Sequence, residues 1–189
     1  MNIVLGIDLS LAGLGLVAAP ENWGGDWSRI ARATLKRSLR RGAPERDRIA
    51  RIIYLADGVI EFARKHGATT AIFEEYAFSQ GDANARAIAE VGGVVKVYLA
   101  NILRIPVETI HMNTARKLAV GTVPRQVDGK KVKAKDYVRT RLTAMGMPPE
   151  WTMDEGDAFV AMNAKQSEIG GCAIVTRVEE TKRTRRKAA

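Results

Sequence analysis

The chain has 189 residues, with 30 lysines and arginines against 21 aspartates and glutamates and 46% hydrophobic residues. That is enough for one domain with a full core, and too apolar for a mostly disordered chain. One cysteine excludes an internal disulfide framework and a multi-cysteine zinc site, and no uncharged apolar run of about 18 residues marks a membrane-spanning helix.

Residues 3–8 are apolar and end on Asp8, the pattern of a strand buried on both faces. With no basic start and an acid inside the apolar stretch, this segment does not read as a signal peptide, and a reducing, cytoplasmic setting is expected. A turn at Ser10 leads to a second strand over 14–19, and a loop with Pro20 and Gly24-Gly25 follows. Ile30, Arg32, Thr34 and Lys36 alternate apolar with polar neighbours through 30–39, so a third strand completes an antiparallel meander. Ile49, Ile52, Ile53, Ala56, Ile60 and Ala63 recur at helical spacing, which predicts a helix over 45–66 closed by Gly67. A fourth strand over 69–74 ends on Glu74-Glu75, a second helix fills 82–103, and a fifth strand follows Pro106 over 107–112. Residues 123–135 hold Pro124, Gly129 and four lysines and read as a mobile basic loop. Helices are expected over 135–145 and 152–165, the latter opened by Thr152 and Glu155 at the spacing of a capping box. The order is that of an α/β domain with a central mixed sheet. One α/β domain over 1–170 and a basic tail over 171–189 are the expected organisation.

The formal charge of +9 is unevenly spread. Residues 27–66 carry 11 bases and four acids, and residues 114–146 carry nine bases and two acids, while residues 147–171 carry one base and five acids. Basic blocks therefore flank acidic ones, as on a surface that holds phosphates around a small acidic centre. Arg40, Arg41, Lys130, Lys131 and Lys133 are the expected phosphate contacts in those blocks.

Carboxylates stand where a folded core rarely wants them. Asp8 and Glu74 end apolar strands, and Asp154 and Asp157 share a helix face at a spacing of three. Gathered at adjacent strand ends they would repel unless a cation held them. Oxygen-only ligands favour Mg²⁺ or Mn²⁺, and two such ions suit hydrolysis of a phosphodiester.

Gly6-Ile7-Asp8-Leu9-Ser10, Ala71-Ile72-Phe73-Glu74-Glu75-Tyr76 and Asp154-Glu155-Gly156-Asp157-Ala158 resemble the three acidic motifs of RuvC-type Holliday-junction resolvases. The resemblance covers roughly residues 3–165 and implies a ribonuclease H-like fold: a five-stranded mixed sheet, its first three strands antiparallel, flanked by helices. It implies that Asp8, Glu74, Asp154 and Asp157 bind two Mg²⁺ or Mn²⁺ ions, and that Lys117 and Lys135 bind or polarise the scissile phosphate. It further implies structure-selective cleavage of four-way DNA junctions, leaving 5′-phosphate nicks. A homodimer through the helix at 82–103 would supply two matched centres, with Val91, Val94, Val95 and Leu99 as candidate contacts. Glu75 stands where bacterial members usually carry an amide, and Ala77 falls where the family places an aromatic wedge, between Tyr76 and Phe78. A divergent chain of this kind suits a phage or mobile element.

Three other readings remain open at this point. A Gly-Ile-Asp start also opens sugar-kinase and actin-like ATPase folds, which need a second lobe. A binding-only protein would keep the basic surface and treat the acids as structural. The same nuclease chemistry could act on flaps, forks or D-loops.

Overall fold

The chain was analysed as a computed structural model that describes residues 1–10, 13–40, 42–75, 83–127 and 130–170. The meander predicted at the start of the chain is present: β1 (Ile3–Leu9), β2 (Gly13–Pro20) and β3 (Ala31–Lys36) pair antiparallel. After α1 (Glu45–His66), β4 (Thr70–Glu74) joins β1 in parallel, and after α2 (Ala83–Tyr98) β5 (Val107–Ile110) joins β4 in parallel. The sheet order is β3-β2-β1-β4-β5, so β1 lies in the middle and is buried on both faces, as its unbroken apolar run requires.

Each face has its own core. Leu5, Ile7, Leu14, Leu16 and Phe73 pack against α1 and α2, while Val4, Val17, Ala19 and Ile72 pack against the later helices. Those helices are α3 (Met112–Val120), α4 (Ala134–Ala144) and α5 (Met153–Gly170). Gly67 ends α1 in a left-handed conformation (φ 66°), which glycine adopts without strain.

α5 lies directly on the sheet because two strand positions lack a side chain. A Cβ on Gly6 would run into the Ala158 carbonyl and the Met162 Cβ, and one on Gly15 into the backbone of Asp154. The helix start is pinned from the side as well. Trp23, Trp27, Trp151 and Phe159 form one aromatic cluster with ring centroids 4.7–6.0 Å apart. The Trp27 indole N–H donates to the Met145 carbonyl at 2.9 Å.

Three expectations change. Residues 112–120, for which the sequence predicts no helix, form α3. The basic segment read as a mobile loop contains a two-stranded hairpin, β6 (Gln126–Val127) with β7 (Lys130–Lys131). Of the apolar residues named for self-association, Val91, Val95 and Leu99 are buried in the chain's own core, because α2 spends that face on the sheet. Gly93, Val97 and Ala100 lie on its exposed side, and the helix continues as a widened π turn over Leu99–Leu103. Among the described residues, no helix is long and apolar enough to cross a membrane.

Candidate active site

Strand register sets the site. Ile7 pairs with Phe73, so the next residues, Asp8 and Glu74, lie side by side where β1 and β4 end. Both leave the sheet on the α5 side, because alternation puts Ile7 and Phe73 on the other face. Asp8 also faces Gly15 across the β1–β2 ladder, and the backbone of Asp154 rests on that glycine. Three elements therefore bring Asp8, Glu74 and the first turns of α5 to one place.

Asp8 is 3% exposed. Burial raises its pKa well above the usual carboxylate range, and a hydrogen bond with Glu74 and the charges of Asp157 and Glu74 push the same way, against a smaller pull from Lys135. Asp157, 4% exposed, is compensated differently, by one cation on each oxygen. Lys135 Nζ lies 2.6 Å from Oδ2, and Arg116 Nη2 reaches Oδ1 at 3.5 Å. Asp154, three residues earlier on α5, is half-buried.

The alternation of β4 decides between its two terminal acids. Glu75 is exposed; its backbone N–H donates to the Ile110 carbonyl at 2.8 Å, and its charge acts on Lys96 of α2, away from the cluster. Glu155 is buried between the two aspartates in sequence, yet turns to β3. It accepts from Arg32 Nη1 at 2.9 Å, from the Thr34 hydroxyl at 3.1 Å and from the Thr152 backbone N–H at 2.8 Å, while its own N–H donates to the Thr152 hydroxyl. The capping box thus fixes how α5 is rotated, and so where Asp154 and Asp157 point.

Lys117 does not join the cluster. It is exposed, and the adjacent Arg116 makes the contact with Asp157. The sequence held a signal for this. Met112, Ala115 and Ala119 form the buried stripe of α3, and position 116 lies along it whereas 117 turns away.

The basic surface is only partly available. Arg48 bridges Glu45 and Glu90 at 3.0 and 2.9 Å, Arg32 is held by Glu155 and Glu150, and Arg37 lies over the Tyr54 ring at 5.1 Å. Arg40, Lys131 and Lys133 are exposed. Arg41, Tyr76, Phe78 and the tail 171–189 lie outside the described residues, as does the side chain of Lys130.

Among the described residues, no three Asp, Glu, His or Cys side chains stand ready-made around a metal ion. The donor chemistry nevertheless fits a hard divalent cation: oxygen-only groups, buried, mutually repelling and already drawing in an ammonium.

No family model matches the chain, and no curated protein matches it. Solved structures do. RuvC of T. thermophilus in complex with Holliday junction substrate superposes with a TM-score of 0.64 at 18% identity, over 87% of this chain and 92% of that one. A second Thermus thermophilus RuvC structure gives 0.59 at 20% identity, over 88% and 95%. The yeast mitochondrial Holliday junction resolvase Ydc2 gives 0.53 at 11% identity, over 86% and 77%. The chain therefore has the ribonuclease H-like fold of RuvC.

Proposed function

We propose that this chain is a structure-selective endonuclease that resolves four-way DNA junctions by paired phosphodiester hydrolysis, leaving 5′-phosphate nicks. One observation carries the reading: in this fold, buried Asp8 and half-buried Glu74 stand together at the ends of two parallel strands beside buried Asp157 of α5, which Lys135 and Arg116 contact. Asp8, Glu74, Asp154 and Asp157 would hold two Mg²⁺ or Mn²⁺ ions, whose chemistry is activation of a water and stabilisation of the leaving 3′-oxygen. The residues prepare that chemistry. Asp8 and Glu74, side by side where β1 and β4 end, supply carboxylate oxygens. Arg116 orients Asp157. Lys135, half in solvent, can meet the negative charge that grows on the scissile phosphate.

Binding beyond the site goes to phosphates, through Arg40, Lys117, Lys131 and Lys133, with Arg41 and Lys130 in the same blocks and the basic tail 171–189 as a nonspecific tether. A four-way junction has near two-fold symmetry, and a homodimer through the exposed side of α2 would present two centres to it. Tyr76 and Phe78, next to Glu74 in sequence, are the aromatics available to open the junction.

The test is cleavage of labelled four-way, flap and duplex DNA in Mg²⁺ and in Mn²⁺, with Asp8→Asn as control. Symmetric nicks in the junction, lost in Asp8→Asn while junction binding stays, are expected. Equal cleavage of flaps would move the substrate to branched DNA in general. Near wild-type cleavage by Asp8→Asn would overturn the site.

A further inference from the structure

The first turn of α4 carries an ammonium into the carboxylate cluster. We propose that Lys135 is a built-in counter-cation, which holds Asp157, Asp8 and Glu74 together before a divalent ion arrives and swings out to a DNA phosphate when one binds. The proposal rests on the nuclease reading above and adds the regulation of the same site.

A buried carboxylate without compensation is costly, and Asp157 has two cations, one per oxygen. They differ in freedom. The Arg116 side chain is 12% exposed and rises from the inner stripe of α3, where Ala115 and Ala119 are buried against α5, so it cannot leave without unpacking that contact. The Lys135 side chain is 54% exposed, on a flexible four-carbon stem at a helix start next to the β6–β7 hairpin. Burial alone would lower its pKa, but the carboxylates of Asp157, Asp8 and Glu74 outweigh this and keep the ammonium charged. An arriving divalent ion would share those same carboxylates at close range, and like charges in one site repel. Of the two side chains, Lys135 is the one that can yield.

The consequence is a coupling. An ion in the cluster releases the ammonium when a phosphate can use it, and a phosphate that draws Lys135 away lowers the obstacle to the ion. Thermodynamic reciprocity makes these two statements one.

The test uses the full chain without DNA. Each lysine is acetylated with a water-soluble amine-reactive ester and quantified by mass spectrometry, with and without saturating Mg²⁺ or Ca²⁺. Calorimetric metal titrations of wild type and Lys135→Met run alongside. Metal should raise acetylation of Lys135 by about fivefold or more and that of Lys117 and Lys131 by less than about twofold, and Lys135→Met should bind metal about tenfold more tightly. Should Lys135→Met fail to fold, Lys135→Gln takes its place, and the acetylation of wild type decides alone. Metal that binds while Lys135 reactivity stays constant overturns the counter-cation and leaves the nuclease reading intact. Absence of metal binding in wild type and variant overturns the nuclease reading and this proposal with it.

Discussion

Replacing Gly6 by alanine asks α5 to leave its seat. The new Cβ would stand 2.7 Å from the Met162 Cβ and closer still to the Ala158 carbonyl oxygen. Ordinary contact begins at 3.4 Å, so the helix must retreat by at least 0.7 Å (3.4 minus 2.7). Both obstacles are backbone or the first side-chain carbon, so no rotamer change relieves them. Overpacking of this kind costs about 1–3 kcal/mol. At roughly 2–4 °C per kcal/mol for a chain of this size, Tm falls by about 2–12 °C. Asp157 directly precedes Ala158 and moves with it, and a displacement near 1 Å at a reacting centre can cost about 100-fold. The expected result is a variant fully folded at 25 °C, by far-ultraviolet circular dichroism, whose single-turnover junction cleavage is about 100-fold slower. Gly15→Ala pushes the same helix at Asp154, so the double variant should lose less than the sum of the singles. A Gly6→Ala protein with Tm within about 1 °C and rate within about twofold of wild type would refute the reasoning, since both limits lie below the smallest effects worked out here.

Asp8→Asn should abolish cleavage yet stabilise the metal-free protein, by about 1–2 kcal/mol, because it removes a buried charge from a repelling pair. The sign with pH follows from the raised pKa of Asp8. The folded state binds more protons than the unfolded one, so metal-free stability falls as pH climbs above the ordinary carboxylate range, and the Tm advantage of Asp8→Asn over wild type should widen between acidic and neutral pH. Arg116→Ala should slow cleavage by about 100-fold, as loss of a charged donor at a reacting centre does, while Lys117→Ala stays within a few fold in rate and instead weakens junction binding. Glu155→Ala leaves the Arg32 guanidinium without its buried partner and removes the side-chain acceptor of the Thr152 N–H, half of the α5 capping box, so a loss of about 2–4 kcal/mol is expected in urea denaturation, with Glu155→Gln losing less.

What the sequence disclosed followed how strongly local pattern was tied to burial. β1 and α1 were legible because an unbroken apolar run and a long 3.6-residue period have one economical reading each, and α1 has the predicted bounds. Asp8 and Glu74 stood out as charges that end apolar strands. α3 was missed because nine residues directly after a strand leave little room for a period to show. The hairpin was missed because its strands are two residues each, although Asp128-Gly129 is a dipeptide favoured in tight hairpin turns. Lys117 was matched as a basic residue by position, and only the rotation of α3 shows that its neighbour Arg116 is the one that reaches Asp157. Val91, Val95 and Leu99 show the same limit from the other side, since an apolar stripe on a helix does not say whether its own sheet or a second copy covers it.

All three tryptophans of the chain, Trp23, Trp27 and Trp151, meet edge to face in one cluster at the start of α5. The intrinsic emission of the protein therefore comes from a single locality, and the near-ultraviolet circular dichroism of the touching rings reports their packing. An optical spectrum of the unlabelled protein is thus a direct reading of whether the helix that carries Asp154 and Asp157 is docked, and it can be followed in a stopped-flow instrument without any dye or added reporter.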